Sequence, residues 1–341
     1  MTRIVIDAMG SDEFPTPDVV GAVMAAREYN IGIILVGDEA KIRPVLEAQN
    51  PGNLPISIVH APEMLTMEDK GMALVLKARR ANAKNSMAIG IDLVKNGEAD
   101  AFVTAGNTGA AMTTAYFRLG MIPGVDKPAL AVIFPTATGS CVVLDVGANP
   151  DVKPENLHQF AIMGSIYAEK VRGIQSPKIG LVSNGEEEGK GNELIRNALP
   201  LIKNTGLNFF GNVEGKEVIG GKVDVAVTDG FTGNVMLKSS EAVAKLIIDK
   251  IKEAVKTGGP LALIGGALLK PALGEIKKLL DPSEEGAGSL LGVNGLVFIG
   301  HGRSDALAIK NAVRVANNAV KANVLGAIRN DIATRLKKSA E

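Results

Sequence analysis

The sequence predicts an α/β fold in which a mainly parallel sheet is covered by helices on both faces. Short apolar runs alternate with helical patterns, an order typical of parallel strands joined by crossover helices. The runs are continuously rich in Val, Ile and Leu, as expected for strands buried on both faces. Glycine, at 39 of 341 residues, exceeds the average of about 7% and clusters after the apolar runs. We therefore expect one α/β domain over residues 1–341, with two lobes as a variant of that arrangement.

The strand–loop–helix unit repeats along the chain. The apolar runs lie at residues 3–6, 33–36, 101–103, 141–144, 179–182, 223–227 and 296–299. A helical pattern follows each of these runs in turn. The first covers residues 18–29, the second begins near residue 40, the third ends near residue 116 and the fourth begins near residue 155. The fifth ends near residue 198, the sixth begins near residue 236 and the seventh ends near residue 320. Ligands of parallel sheets bind beyond the carboxyl ends of the strands. We therefore expect the glycine-rich loops to meet at one edge of the sheet.

Charge and residue composition exclude several classes of protein. Lys+Arg and Asp+Glu balance at 37 each, and aromatic residues make up 4% with no Trp, which argues against a nucleic-acid partner. The single cysteine, Cys141, excludes an internal disulfide and a cysteine-based zinc site. It lies in an apolar run, where a buried inert thiol is expected rather than a nucleophile. The first residues lack the features of a signal peptide, and we expect a cytoplasmic protein.

Residues 241–281 interrupt the alternation, because they read as helical with no strand between them. Residues 258–260 and Pro271 are expected to divide this stretch. Its middle is apolar and includes Leu261, Leu263 and Leu268, with lysines on both sides. Two interpretations remain open. The stretch forms a helical hairpin packed on the domain or on a second subunit, or it protrudes and rests its apolar tip on a membrane interface.

Several common catalytic signatures are missing. No Gly-x-Gly-x-x-Gly opens a helix after a strand, no Walker loop has the right spacing, and no Gly-x-Ser-x-Gly elbow occurs. The three histidines lack metal-ligand spacing. We therefore expect no nucleotide cofactor, no metal and no Ser-His-Asp triad.

The glycine-rich loops are candidates for an anion site. Glycine allows close backbone approach, and a loop that opens a helix offers free N–H groups and the positive end of the helix dipole. Tight packing of helix on strand would explain any one loop, whereas several loops together favour an anion site. The candidate phosphate- or substrate-binding residues in these loops are Gly106, Asn107, Thr108, Gly109, Lys190, Asn192, Asp229, Gly233 and Asn234.

Six segments, taken together, resemble a known family. They are DAMGSD (7–12), TAGNTGA (104–110), LDVGAN (144–149), NGEEEGKGN (184–192), DGFTGNV (229–235) and LLGVNG with HGRSDALAIKNAV (290–313). In this order they resemble the signature segments of the bacterial phosphate acyltransferases of phospholipid synthesis, from residue 4 to about residue 320. Two segments depart from that family's pattern, at Ser11 and at residues 284–292.

The resemblance implies a fold and a reaction. The fold is a three-layer, Rossmann-like α/β/α arrangement akin to phosphotransacetylases and isopropylmalate dehydrogenases, in a homodimer. The reaction transfers an acyl group from acyl carrier protein to inorganic phosphate, giving acyl phosphate. Phosphate is already an anionic nucleophile and a thiol with a pKa of about 8.5 leaves readily, so positioning and oxyanion stabilisation suffice without a triad.

The resemblance also implies site residues. Lys190 and Asn234 form the catalytic pair, Lys190 neutralising phosphate and the tetrahedral intermediate and Asn234 donating to the thioester oxygen or to phosphate. The backbone around Gly106–Gly109, together with Gly147 and Asn149, completes the cradle, with Asp7 and His301 as possible neighbours.

Finally, the resemblance implies peripheral attachment to the inner face of the cell membrane, where the product passes to a membrane glycerol-3-phosphate acyltransferase. This favours the membrane-tip interpretation of the hairpin. The alternatives are a phosphotransacetylase that uses coenzyme A, a non-catalytic scaffold that binds carrier protein, and a dehydrogenase, the last disfavoured by the missing dinucleotide signature.

Overall fold

A computed structural model describes residues 1–338 of the chain. Within that range there are eleven strands: β1 (Arg3–Asp7), β2 (Gly32–Gly37), β3 (Ile56–His60), β4 (Ala101–Thr104), β5 (Ala129–Thr136), β6 (Gly139–Leu144), β7 (Ile179–Val182), β8 (Phe209–Val213), β9 (Val225–Val227), β10 (Gly288–Leu291) and β11 (Val297–Ile299). The helices of the same range are α1 (Thr16–Tyr29), α2 (Glu39–Ala48), α3 (Gly71–Arg79), α4 (Ser86–Lys95), α5 (Thr108–Leu119), α6 (Pro154–Arg172), α7 (Glu193–Lys203), α8 (Gly215–Gly220), α9 (Gly230–Thr257), α10 (Gly259–Leu279), α11 (Ala306–Lys321) and α12 (Val324–Lys338).

All eleven strands form one sheet in the order β3-β2-β1-β4-β11-β10-β5-β6-β9-β7-β8. The five strands from β3 to β11 are mutually parallel, and so are the four strands from β6 to β8. Between these groups, β10 is antiparallel to β11 and to β5, and β5 is antiparallel to β6. The sheet is mainly parallel, as predicted, but its two halves run in opposite directions.

Helices cover both faces of the sheet and bury two apolar clusters. One cluster contains Leu35, Phe160 and Val313 and lies under α1, α6 and α11. The other contains Ile91 and Phe102 and lies under α4 and α5. Burying one such aliphatic or aromatic side chain stabilises the fold by about 1.5–3 kcal/mol. The predicted three-layer α/β/α fold is confirmed.

Cys141 is fully buried in β6. Burial, reinforced by the charge of Asp224, raises the pKa of its thiol to about 12. The thiol therefore stays protonated at neutral pH, as expected for an inert core cysteine.

Helix α9 begins earlier than the sequence pattern predicts. Asp229 accepts a hydrogen bond from the backbone N–H of Thr232 (2.8 Å) and so caps the helix at residue 230 rather than near 236. Residues 230–234, expected in a loop, consequently form the first turn of α9. The capping pattern of an Asp before a helical run was the signal that would have located this start.

The stretch from residue 241 to 281 is helical without a strand, and α9 and α10 pack against each other, Gly266 lying beside Val255. The helices separate at Gly258 and Gly259, the latter with φ +78°. The expectation of a second break at Pro271 is wrong, since Pro271 lies inside α10. Helix α10 buries none of its residues. The backbone carbonyl that has no N–H partner because of Pro271 therefore faces solvent. Within residues 1–338, every helix falls short of the length and apolarity needed to span a bilayer.

Candidate functional site

The glycine-rich loops fall into two sets, and the expectation that they share one sheet edge is wrong. The loops after β1, β4 and β11 lie at one edge, because these strands are parallel. The loops after β6, β9 and β7 lie beyond strands that run the other way. The antiparallel strands β10 and β5 cause this reversal, and neither was predicted from the apolar runs.

The first set is organised by the carboxylate of Asp7 at the end of β1. It accepts hydrogen bonds from the Thr104 hydroxyl (2.8 Å) and the Met9 N–H (3.1 Å), and Thr104 in turn accepts from the N–H of Gly106 (2.9 Å). Burial raises the pKa of Asp7, against the effect of these hydrogen bonds. A Cβ on Gly10 would lie 2.9 Å from the nitrogen of Gly106, so the two loops approach too closely for a side chain. Asp7 is thus a structural anchor of the Gly106 loop.

Both polar atoms of the Asn107 side chain form hydrogen bonds within the protein. Its Oδ1 accepts from the N–H of Ala110 (3.1 Å), which caps α5. Its Nδ2 donates to the carbonyls of Thr66 (3.0 Å) and Asp69 (3.2 Å), which holds the segment before α3 over the loop. A cavity of about 560 Å³ lies between these parts, lined by Met67, Asp69, Lys70, Gly71, Leu74, Gly106, Asn107, Thr108, Gly109, Gly300, His301 and Gly302. It brings together five of the predicted residues, Gly106–Gly109 and His301.

Ser11, which departs from the family pattern, has a structural partner. Its hydroxyl donates to Oδ2 of Asp18 (2.6 Å), a fully buried carboxylate in the first turn of α1. Oδ1 of Asp18 has no hydrogen-bond partner among the described residues. Burial, and after it the nearby charge of Asp7, raises the pKa of Asp18 to about 7. Sequence analysis did not single out Asp18.

The second set is organised by Asp145, which follows β6 directly and is fully buried. Its two oxygens accept from the backbone N–H groups of Leu130 (3.1 Å), Gly147 (3.2 Å), Ala148 (2.9 Å) and Asn149 (2.7 Å). Burial raises the pKa of Asp145, and these donors lower it. The N–H groups expected to cradle phosphate at Gly147 and Asn149 are therefore directed at an internal carboxylate.

Asn149 is bound into the same loop. Its Nδ2 donates to the carbonyl of Pro128 (2.6 Å) and to Asp145 (2.9 Å), and its carbonyl accepts from the N–H of Gly230 (2.8 Å) at the start of α9. A Cβ on Gly233 would lie 1.9 Å from the carbonyl oxygen of Asp145, so the helix sits directly on this loop. Gly233 thus has the role of permitting close packing. Asn234, the next residue, lies beside Gly147, with its amide 3.9 Å from where a Cβ on Gly147 would be.

The loop of residues 183–192 follows β7, the sheet neighbour of β9. Asn192 caps α7 by accepting from the N–H of Ile195 (3.0 Å), and Asn184 accepts from the N–H of Gly191 (2.9 Å). Glu186 of this loop, with Glu214 and Glu217, faces Lys216 and Lys222 at 2.7–3.8 Å, so two lysines balance two of the three carboxylate charges. Lys190 is exposed, and its stem lies over Gly185.

Helix α9 connects the two sets of loops. Its Glu241 lies 3.4 Å from Arg303 and 4.0 Å from Nε2 of His301, both in the loop after β11. Partial burial lowers the pKa of His301, while Glu241 raises it. Seven residues separate Asn234 from Glu241, which is about 10 Å along a helix. Helix α9 therefore carries both the Asn234 amide and Glu241, which lies beside the cavity-lining His301. Sequence analysis did not find this relation.

The predicted polar residues differ in whether their side chains are already bonded. Asp7, Asn107, Asn149, Asn192 and Asp229 all use their side chains to hold loops or cap helices. Within residues 1–338, the side chains of Lys190, Asn234 and Thr108 have no hydrogen bond or ion pair. Lys190 and Asn234 follow adjacent strands, β7 and β9, so a charged donor and an amide donor remain available at that edge.

Comparison with protein families matches residues 2–326 to the family described as "Fatty acid synthesis protein". Curated relatives named "Phosphate acyltransferase" include those of Acidobacterium capsulatum, 47% identical over 98% of both chains, and Koribacter versatilis, 50% identical over 98% of this chain and 94% of the relative. The relative from Pelotomaculum thermopropionicum is 47% identical over 97% of this chain and 95% of its own.

Solved structures share the fold at low sequence identity. The EutD phosphotransacetylase from Staphylococcus aureus superposes with a TM-score of 0.59 at 17% identity, over 94% of each chain. A phosphotransacetylase from Streptococcus pyogenes gives a TM-score of 0.60 at 17% identity, again over 94% of each chain. The predicted likeness to phosphotransacetylase folds is confirmed.

The packing of α9 on the Asp145 loop predicts the effect of adding one methyl group. Gly233→Ala should destabilise the protein by about 1–3 kcal/mol, because the new Cβ overlaps a backbone carbonyl and the helix must shift. The matched control is Gly274→Ala in the exposed helix α10, where no atom lies within 4 Å of the added Cβ. That substitution should be neutral or stabilise by up to about 1 kcal/mol. Urea unfolding measures both, and equal stabilities would contradict the close contact.

The buried carboxylate of Asp18 predicts a dependence of stability on pH. Its pKa is about 7 in the folded protein against an ordinary value of 3.8, so the folded state binds more protons between these pH values. The free energy of unfolding therefore falls as the pH rises from about 4 to 7. Asp18→Asn keeps an oxygen acceptor for Ser11 without the charge. The melting temperature of the variant minus that of the wild type should therefore be larger at pH 8 than at pH 5, by at least about 2 °C. The exposed Asp151→Asn serves as control, and a difference independent of pH would contradict the prediction.

Proposed function

The chain belongs to the phosphate acyltransferase family, and we propose that it transfers a fatty acyl group from acyl carrier protein to inorganic phosphate. The products would be acyl phosphate and the free thiol of the carrier. The acyl phosphate then serves as the activated donor for phosphatidic acid synthesis, used by a membrane glycerol-3-phosphate acyltransferase.

The observation that carries this assignment is a pair of donors without hydrogen bonds among the described residues: Lys190 in the loop after β7 and Asn234 in the first turn of α9, which follows the adjacent strand β9. We assign Lys190 to the phosphate, which a lysine binds as a point charge. We assign the Asn234 amide to the thioester carbonyl oxygen, where negative charge develops in the transition state. The Asp145 loop with Asn149, and the helix-capping residues Asn192 and Asp229, act as positioning residues in this proposal.

The chemistry needs little beyond these groups. A phosphate oxygen attacks the thioester carbon, the carbonyl electrons move onto the oxygen to give a tetrahedral intermediate, and the carbon–sulfur bond then breaks to release the thiolate. The phosphate is already anionic and the thiolate is a good leaving group, so no general base or acid is required. Holding the two reactants in line supplies the rest of the rate enhancement.

We also propose a homodimer through the hairpin formed by α9 and α10. Val243, Leu246 and Ile247 lie on one side of α9 at helical spacing and are 54%, 56% and 53% exposed. An exposed apolar stripe of this kind on a helix indicates that another protein surface packs against it. A second copy of the same hairpin would provide one.

The tip of the hairpin is proposed to contact the inner face of the cell membrane. Leu261 and Leu268 are 84% and 77% exposed, and Leu263 is 52% exposed, so a large apolar surface faces outward. Lysines occur on both sides of this tip in the sequence, at Lys256 and Lys270. Apolar insertion with basic flanks is the usual arrangement for peripheral attachment to an anionic bilayer.

Removal of either proposed catalytic side chain should reduce turnover strongly. We expect Lys190→Ala and Asn234→Ala each to lower kcat by about 100-fold or more, as for loss of one oxyanion donor. The measurement is phosphate-dependent release of carrier thiol from acyl carrier protein, with acyl-coenzyme A as the alternative donor. The control, Lys178→Ala, removes an exposed lysine near the opposite end of β7. Activity of either variant within a few-fold of wild type would disprove the assigned role, and preference for acyl-coenzyme A would disprove the donor.

Charged residues at the hairpin tip should release the protein from membranes. The triple variant Leu261→Glu, Leu263→Glu and Leu268→Glu should lose co-sedimentation with anionic phospholipid vesicles, because it replaces apolar contacts by repulsion. Thiol release in solution should stay unchanged. Ile219→Glu on α8, 47% exposed, is the control for surface charge and should still bind vesicles. Loss of folding in the triple variant would instead favour a packed hairpin.

A further inference from the structure

A basic and apolar surface lies beside the 560 Å³ cavity, on α3 and α5. We name it the α3–α5 surface and define it by Lys70, Met72, Leu76, Arg79, Arg80, Lys84, Tyr116 and Phe117. All eight residues are exposed. Lys70 also lines the cavity, so the surface continues into the cavity mouth.

The charge of this region stands out in a chain whose charges balance. Residues 70–91 contain five cations, Lys70, Lys77, Arg79, Arg80 and Lys84, and no carboxylate. Lys77 is paired with Asp69 at 2.5 Å. Within residues 1–338, the other four cations have no carboxylate partner. Such a concentration of unpaired positive charge attracts an acidic surface and accelerates its association.

The apolar part of the surface is exposed, and its aromatic side chains contact each other and Arg79. Met72 and Leu76 of α3 are 72% and 64% exposed, and Tyr116 and Phe117 of α5 are 44% and 41% exposed. The two aromatic rings meet edge to face at 5.2 Å. The Arg79 guanidinium lies 5.1 Å from the centre of the Phe117 ring. Exposed aromatic and methionine side chains with arginine are the composition typical of a protein–protein interface.

We propose that the α3–α5 surface docks an acidic carrier protein and directs its thioester arm into the adjoining cavity. This inference rests on the proposed function, because only a protein-borne acyl donor needs such a surface. His301 also lines the cavity, and it faces Glu241 on α9. From Glu241 the helix leads about 10 Å to Asn234. Helix α9 therefore links the cavity-lining His301, through Glu241, to the proposed acyl-transfer site at Asn234.

The test reverses charge at two exposed side chains that form no hydrogen bond or ion pair within the described residues. In the double variant Arg80→Glu and Lys84→Glu, we expect the KM for acyl carrier protein to rise at least about 10-fold at low salt while kcat changes less than about 2-fold. The rise should shrink at high ionic strength, since surface charges are then screened. Leu76→Ser tests the apolar part and should raise KM without this salt dependence. Circular dichroism and thermal melting confirm that each variant is folded.

Matched controls and outcomes separate this inference from the proposed function. Lys178→Glu and Lys321→Glu together carry the same charge change on other exposed lysines and should leave KM within about 2-fold of wild type. An unchanged KM in the Arg80/Lys84 variant of an active enzyme would overturn the docking surface alone. If the wild type releases no thiol from acyl carrier protein, the proposed function fails instead. If the variant changes the oligomeric mass rather than KM, a second copy of the chain occupies the surface and the inference is wrong.

Discussion

The buried carboxylate of Asp145 is the interaction on which the candidate site depends. A charge without water must be surrounded by donors, and Asp145 draws four backbone N–H groups and the amide of Asn149 around itself. That requirement gives the loop after β6 one conformation. Because Gly230 and Gly233 place α9 directly on this loop, the position of the Asn234 amide follows from it. Asp7 has the same function in the other half of the sheet, where it orders Thr104 and Gly106.

The reversal of the sheet at β10 and β5 determines the layout of the molecule. Were all the strands parallel, the glycine-rich loops would crowd at one edge. Instead the loops divide into two sets, and α9 connects them by reaching from the Asp145 loop to His301 and Arg303. The same helix continues into the hairpin that is proposed to meet the membrane. One long helix thus connects the proposed acyl-transfer site, the cavity and the proposed membrane tip.

We propose different roles for the two sets of loops. The cavity beside α3 adjoins the surface that is proposed to dock an acidic protein. The edge beyond β7 and β9 keeps a lysine and an amide unbonded, which suits an anionic nucleophile and a developing oxyanion.

Sequence alone determined the fold class, the family and the segments that form the loops, because these depend on local patterns of apolar and glycine residues. The family resemblance also pointed to Lys190 and Asn234, whose catalytic roles stay a prediction. Sequence alone did not predict β10, β5 or the reversal of the sheet, because strand order depends on contacts between residues far apart in the chain. The tertiary structure alone decided which polar side chains are free. In sequence, Asn107, Asn192 and Asp229 look like ligand-binding residues, yet in the structure each caps a helix. Only the position of the surrounding backbone decides whether such a side chain caps a helix or is free to bind a ligand.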